Sequence, residues 1–270
     1  MHLNKLLFAG LLFLFMISPV FAQEFKNSQL QISRLQDHVW VVETSDMGTM
    51  YLIEGTNKAL LIDTGTKCDS LDEIIRKITK KPLSVVLTHA HHDHAGNIGH
   101  FPEIYMHAAD TVLLKNNYKG KLNFINDGYI FDLGGKKIEV SWMPAHTPGT
   151  IVLLDRPAHS CYTGDAFGSG QVWLQLKPVA PMREYIGSCS KMIKLMDNGI
   201  DSLYCGHYSY LKSALDKQHM ITMLHLAESI ENGTVKNAEP FTRKVSIGCE
   251  NPMIATEGKV AIVYDPEHLK

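Results

Sequence analysis

Thr88-His89-Ala90-His91-His92-Asp93-His94 is the stretch that decides how this chain is read. Five side chains able to bind a metal fall within residues 89–94. Their spacing, His-x-His-x-Asp-His, suits a loop wrapped around two metal ions. Neutral imidazole is the commonest metal ligand, and a carboxylate adds charge compensation. Immediately before the loop, Leu83-Ser84-Val85-Val86-Leu87 is a short apolar run that predicts a buried strand. The ligands therefore sit at a strand's C-terminal end, where α/β proteins place their sites. A solvated histidine-rich loop would account for any one of these histidines. It does not account for four ligands at this spacing, because such a cluster has little structural use without a metal.

Working outward, three further residues each follow an apolar, strand-like run. His146 lies in Pro144-Ala145-His146-Thr147-Pro148-Gly149-Thr150, where the prolines and glycine stiffen the loop that carries it. Asp165 ends Tyr162-Thr163-Gly164-Asp165, and His207 ends Tyr204-Cys205-Gly206-His207. Each is weak alone, since Gly-Asp is common in turns and a lone histidine is usually structural. Together with the first motif they bring the set to seven ligands, enough for two ions sharing one carboxylate.

The elements around these positions are predicted from local pattern. Leu30–Ser33, His38–Glu43, Met50–Glu54 and Ala59–Asp63 read as strands, separated by turns such as Glu54-Gly55-Thr56-Asn57. Ser70-Leu71-Asp72-Glu73 has the form of a capping box, and Leu71, Ile74, Ile75 and Ile78 have helical spacing. Tyr129–Leu133 with Lys137–Trp142, and Ile151–Leu154 with Ser160–Thr163, predict two hairpins. A stripe from Met182 to Met196 and a run from Leu211 to Ile230 predict long helices, with a strand at Asp201–Cys205 between them. Val245–Ile247 and Val260–Tyr264 are the last strand candidates. Strands, then a strand–loop–helix unit, then the same order again: this predicts two packed sheets with helices outside.

The chain has 270 residues, 45% hydrophobic and 20% charged, enough for one substantial core. Its formal net charge of -2 carries no basic stripe of the kind nucleic acid selects. His2 and Lys5 precede a nearly all-apolar Leu6–Phe21, and Val20-Phe21-Ala22 has small residues at signal-peptidase offsets. The apolar stretch is short for a membrane span. Residues 1–22 are thus expected to be a signal peptide and 23–270 a single exported domain, periplasmic or extracellular, with no membrane contact after cleavage. The five cysteines (Cys68, Cys161, Cys189, Cys205 and Cys249) are odd in number and show no CxxC spacing, so no disulfide framework is expected.

With these residues in view, the chain resembles the metallo-β-lactamase superfamily of metallohydrolases. The resemblance covers nearly all of the chain after the apolar start. It rests on Asp63 in Leu61-Ile62-Asp63-Thr64-Gly65, then His89, His91, Asp93 and His94, then His146, Asp165 and His207, in the family's order. It implies an αβ/βα four-layer sandwich with two metals at the edge between the sheets. It implies that His89, His91 and His146 hold the first metal, that Asp93, His94 and His207 hold the second, and that Asp165 bridges. Asp93 would also serve catalysis. Asp63 would orient a ligand histidine, and His92 would point away. Typical β-lactamases of the superfamily have cysteine or serine where Asp165 stands, whereas members resembling glyoxalase II and lactonases carry the aspartate.

The resulting expectation is a dinuclear hydrolase of a small carbonyl substrate: an ester, lactone, thioester or amide. Two cations flanking one water would bring its pKa toward neutrality and supply hydroxide. All-nitrogen-and-oxygen ligands suit two zinc ions, with iron or manganese as alternatives. A β-lactam-hydrolysing enzyme is the alternative function, and a metal-dependent oxidoreductase or binding protein a second. Glyoxalase II itself is disfavoured, because residues after His207 offer too little chain for its added helical domain. Substrate contacts are expected from Met47 and Met50 in the Ser45–Met50 turn, from Phe167 and Trp173 after Asp165, and from Tyr208. The substrate's identity and the oligomeric state are left open by the sequence.

Overall fold

The computed structural model describes residues 23–114 and 118–270; the expected signal peptide lies outside the described residues. The first half builds an eight-stranded sheet in sequence order. Its strands are β1 (Gln23–Lys26), β2 (Leu30–Gln36), β3 (Val39–Thr44), β4 (Thr49–Glu54) and β5 (Ala59–Ile62), then β6 (Leu83–Val86), β7 (Glu103–Met106) and β8 (Lys121–Phe124). The first five pair antiparallel and the last four, β5 to β8, pair parallel. Helix α1 (Leu71–Ile78) crosses between β5 and β6, and the short turn of helix α2 (His92–Ala95) follows β6.

The second half builds a sheet from β9 (Ile130–Asp132), β10 (Lys137–Trp142), β11 (Ile151–Asp155) and β12 (Ser160–Gly164). After β13 (Gln171–Leu174) and helix α3 (Met182–Asp197), strand β14 (Ser202–Cys205) joins that sheet parallel to β12. Helices α4 (Tyr208–Leu211) and α5 (Lys217–Glu231) follow, then β15 (Ala238–Pro240), β16 (Met253–Glu257) and β17 (Val260–Tyr264). The last three strands form a smaller sheet with β13.

The central strands β3, β4, β5 and β11 read as near-continuous apolar runs because both of their faces are covered. Along β3, Val39 and Val41 enter the core between the two large sheets, while Trp40 and Val42 enter the outer core. Tyr51 and Ile53 of β4 likewise face Tyr162, Leu153 and Tyr204 of the second sheet, and Met50 and Leu52 face outward. Beyond the first sheet that outer core holds Leu71, Ile74 and Ile75 of α1. Beyond the second, α3 and α5 pack together through Tyr185, Cys189, Met192, Met220, Met223 and Leu226. The layers therefore run helix, sheet, sheet, helix, the αβ/βα sandwich that the resemblance implied.

Several local expectations are corrected. Ser70 does not cap α1: it sits at φ 53, ψ 44 with no side-chain cap bond. His100 Nδ1 instead accepts from the Leu71 N–H at 3.2 Å. A cap contributes about 1 kcal/mol, whereas burying Leu71, Ile74 and Ile75 contributes roughly 1.5–3 kcal/mol each, so packing holds this helix without the box. The run Leu211–Ile230 is interrupted. Lys212 is left-handed at φ 52, and Leu215 pairs with Leu203 before α5 starts behind Asp216, whose side chain accepts from the His219 N–H at 2.8 Å. Val245–Ile247 is not a strand, and β17 pairs antiparallel with Met253–Glu257 and parallel with β13. All five cysteines are free. Among the described residues, no helix is long and apolar enough to cross a membrane.

Candidate metal centre

Every candidate ligand sits just past a strand end on the same rim of the sandwich. The His89–His94 loop follows β6, His146 lies in the β10–β11 turn, Asp165 follows β12 and His207 follows β14. The structure brings these seven residues into two groups whose donor atoms lie within 4.8 Å of one another: His89 with His91 and His146, and Asp93 with His94, Asp165 and His207. Asp165 touches both. Its Oδ1 is 3.4 Å from His94 Nε2, and its Oδ2 is 3.3 Å from His207 Nε2 and 3.9 Å from His146 Nε2. Asp93 Oδ2 lies 3.4 Å from His207 Nε2. His92 is exposed on the outer side of α2 and takes no part.

Partners outside the groups orient the imidazoles. His94 Nδ1–H donates to Asp63 Oδ2 at 2.9 Å, His146 Nδ1–H to the Trp173 carbonyl at 2.6 Å, and His207 Nδ1–H to the Met47 carbonyl at 3.1 Å. His89 Nδ1 lies 3.2 Å from Thr88 Oγ1, which itself donates to Asp63 Oδ2 at 2.8 Å. In each case Nδ1 is used and Nε2 is turned inward. His91 is reversed, with Nδ1 2.8 Å from His146 Nε2. Buried His89 Nε2, His94 Nε2 and Asp165 Oδ1 have no hydrogen-bond partner. Leaving such groups unpaired costs about 1–3 kcal/mol each, so their convergence is what a cation would repay. The donor set fits a pair of divalent metals.

Charge is divided unequally between the groups. Asp165 chiefly raises the His207 imidazole, to about 12. Burial opposes a proton on His94, but Asp165, Asp93 and Asp63 outweigh it and hold that imidazole well above its ordinary value. Burial also opposes ionisation of Asp165 and Asp93, and the facing histidines reverse this, keeping both carboxylates ionised. In the other group burial drives the imidazoles the opposite way, His89 far down and His91 to about 3, with neighbouring histidines adding to it. At neutral pH the second group is thus protonated on nitrogen, and His89 and His91 are neutral.

Three of the expected substrate contacts, Met50, Phe167 and Tyr208, are placed differently. Met50 and Phe167 are fully buried in the two outer cores, not in a pocket wall. Phe167, two residues after Asp165, packs behind its own loop, and Met50 turns from β4 into the outer core of the first sheet. Tyr208 is buried against Tyr204 in the inter-sheet core. Met47 and Trp173 are half-buried and meet the site through the carbonyls that orient His207 and His146. Thr88 and Asp110 were not anticipated as site-supporting residues. Thr88, adjoining the motif, was detectable; Asp110 gave no local signal.

Comparison with known proteins agrees with this geometry. The profile of the metallo-beta-lactamase superfamily matches residues 44–217. The acyl-coenzyme A thioesterase MBLAC2 of Gallus gallus is 25% identical over 209 residues, which cover 62% of this chain and 74% of that one. A hydroxyacylglutathione hydrolase of Serratia proteamaculans is 23% identical over 251 residues, covering 89% of this chain and 93% of that one. The mono-zinc FIM-1 metallo-β-lactamase of Pseudomonas aeruginosa superposes with a TM-score of 0.61 at 17% identity, covering 77% of this chain and 97% of that one, a likeness of fold. With the profile spanning well over half of its length and its fold shared, this chain belongs to the metallo-beta-lactamase superfamily.

Proposed function

We propose that the chain is an exported dinuclear zinc hydrolase of small acyl substrates, thioesters foremost, with esters, lactones and amides as neighbouring classes. The observation that carries it is the Asp165 carboxylate reaching both histidine groups. Two relatives named as an acyl-coenzyme A thioesterase and a hydroxyacylglutathione hydrolase support an acyl conjugate over a β-lactam. Five imidazoles and two carboxylates suit zinc, with iron or manganese the other candidates. When bound, such a metal pair activates water and polarises a carbonyl oxygen.

The chain's own residues set how a substrate meets that pair. Side-chain exposure is 39% at Asp93, 21% at His207 and 14% at Asp165, against 0% at His94, so the opening lies on the Asp93–His207 side. A substrate carbonyl entering there faces the half-buried Met47 turn. Asp93 is the carboxylate placed to take a proton at that opening, and Asp63 and the Trp173 carbonyl hold His94 and His146 still.

The test is turnover of acyl-coenzyme A, S-lactoylglutathione, an aryl ester, a lactone and nitrocefin by protein whose metal is assayed. Metal content near two per chain is expected, with thioester turnover lost to chelator and restored by zinc. Nitrocefin as the fastest substrate would overturn the ranking. Export is checked separately: the mature protein from its native host should begin near Gln23, and an intact Met1 contradicts the proposal.

The protonation pattern gives a pH dependence. A metal entering the His89–His91–His146 group meets neutral His89 and His91. One entering the second group must displace protons from His94 and His207. Second-metal affinity should rise with pH, by about a hundredfold per unit for two displaced protons, while the pH remains below the raised values. Calorimetry in buffers of different ionisation enthalpy counts those protons. A second binding step independent of pH near neutrality would contradict the charge assignment.

A further inference from the structure

We propose that Asp110 is a positioning residue for the three-histidine group, tying the loop that carries His89 and His91 to the loop that carries His146. This rests on the metal reading above and adds to it a residue outside the ligand set. Asp110 is 1% exposed and lies in the short 3-10 segment Ala108–Leu114 after β7. Its Oδ2 accepts from the Ala90 N–H at 3.1 Å and from Thr147 Oγ1 at 2.7 Å, and its Oδ1 accepts from the Gly149 N–H at 2.7 Å. Ala90 is the residue between His89 and His91, and Thr147 directly follows His146. One carboxylate therefore grips both loops beside all three nitrogens.

The details favour a carboxylate built for this grip. Three donors arrive on two oxygens from both sides, and an amide, with a single acceptor oxygen, cannot receive all of them. Charge-assisted bonds of this kind are about twice as strong as neutral ones and offset part of the cost of burying the carboxylate, which still holds it above its ordinary value. Thr147 is itself aimed: its N–H donates to Thr150 Oγ1 at 3.0 Å, and the two hydroxyl oxygens are 2.8 Å apart. Position 149 has to be glycine, because a Cβ there would stand 2.4 Å from Asp110 Oδ1. The spacing this clamp governs is the 2.8 Å between His91 Nδ1 and His146 Nε2, on loops 55 residues apart in sequence.

The test uses the full chain stripped of metal and titrated with Co2+ against a competing chelator, following the d–d absorption of each site. Asp110→Ala should weaken the first Co2+ by roughly 10–100-fold and change its spectrum, leaving the second within a few-fold. Asp110→Asn should fall between, and Thr147→Val, which removes one of the three bonds, should show a smaller loss. A first Co2+ bound by Asp110→Ala within about twofold of the unaltered chain, with an unchanged spectrum, overturns the proposal. Should near-ultraviolet circular dichroism show that Asp110→Ala does not fold, Thr147→Val decides, and unchanged first-site affinity there overturns it. An unaltered chain that binds no Co2+ overturns the metal reading, and the inference with it.

Discussion

Asp165→Asn is expected to lose the second metal first and to lower thioester or ester turnover by on the order of a hundredfold or more. The carboxylate meets His94 and His207 of one group and His146 of the other. The amide keeps the shape but removes the negative charge and one acceptor oxygen. In the metal-free protein the same change removes the main cause of the raised His207 imidazole. His207 should then titrate closer to its ordinary range, which proton NMR of the imidazole can follow. Metal analysis, the NMR titration and turnover should move together. Two retained metals with full activity would make Asp165 a turn residue.

Gly206→Ala is expected to be as damaging, although it deletes no ligand. A Cβ at that position would stand 2.5 Å from Asp165 Oδ1 and 2.5 Å from His94 Cε1, closer than real Cβ contacts come. Both ligands would have to move, and neither is the free end of a flexible chain: His94 is fully buried and fixed by Asp63. Second-site affinity should fall by at least about tenfold, and activity by about a hundredfold, because small displacements of a catalytic group are costly. The first metal should stay. Elemental analysis showing one metal per chain, with the unfolding midpoint of the metal-free form little changed, checks this. A variant with two metals and normal turnover would show that β14 shifts to accommodate the methyl.

What could be read from the sequence followed from signals held within a few residues. The apolar run Leu83–Leu87 and the histidines behind it share one strand end, so that unit was plain. The same held for His146, Asp165 and His207, each marked by an apolar stretch before it. The short strands β7, β8 and β13 gave no comparable signal. They have four residues each to show a pattern, and pairing with neighbours, not propensity, makes them strands. Helix α1 is legible from its apolar spacing although Ser70 does not cap it, since the stripe and not the cap stabilises it. Met50 and Phe167 show the reverse failure: a place in or beside a loop near the site says nothing about which side of the backbone faces the histidine groups. Asp110 could not be found locally, because its partners lie 20, 37 and 39 residues away.

Neither histidine group closes within one half of the chain. The first needs His146 and the second needs Asp165 and His207, all from the later sheet, while the remaining ligands come from the loop after β6. The hydroxyl of Tyr51 donating to the Cys205 carbonyl at 2.6 Å joins residues 154 apart just below that rim. The order of assembly follows. The loop after β6 can form early, but no cation can be gripped by three residues until the two sheets have docked. Such distant pairings cost closure entropy before any contact offsets it, so docking is expected to be the slow event. An incomplete or misfolded chain would therefore expose only half a nest, and tight metal uptake would double as a report that folding has finished.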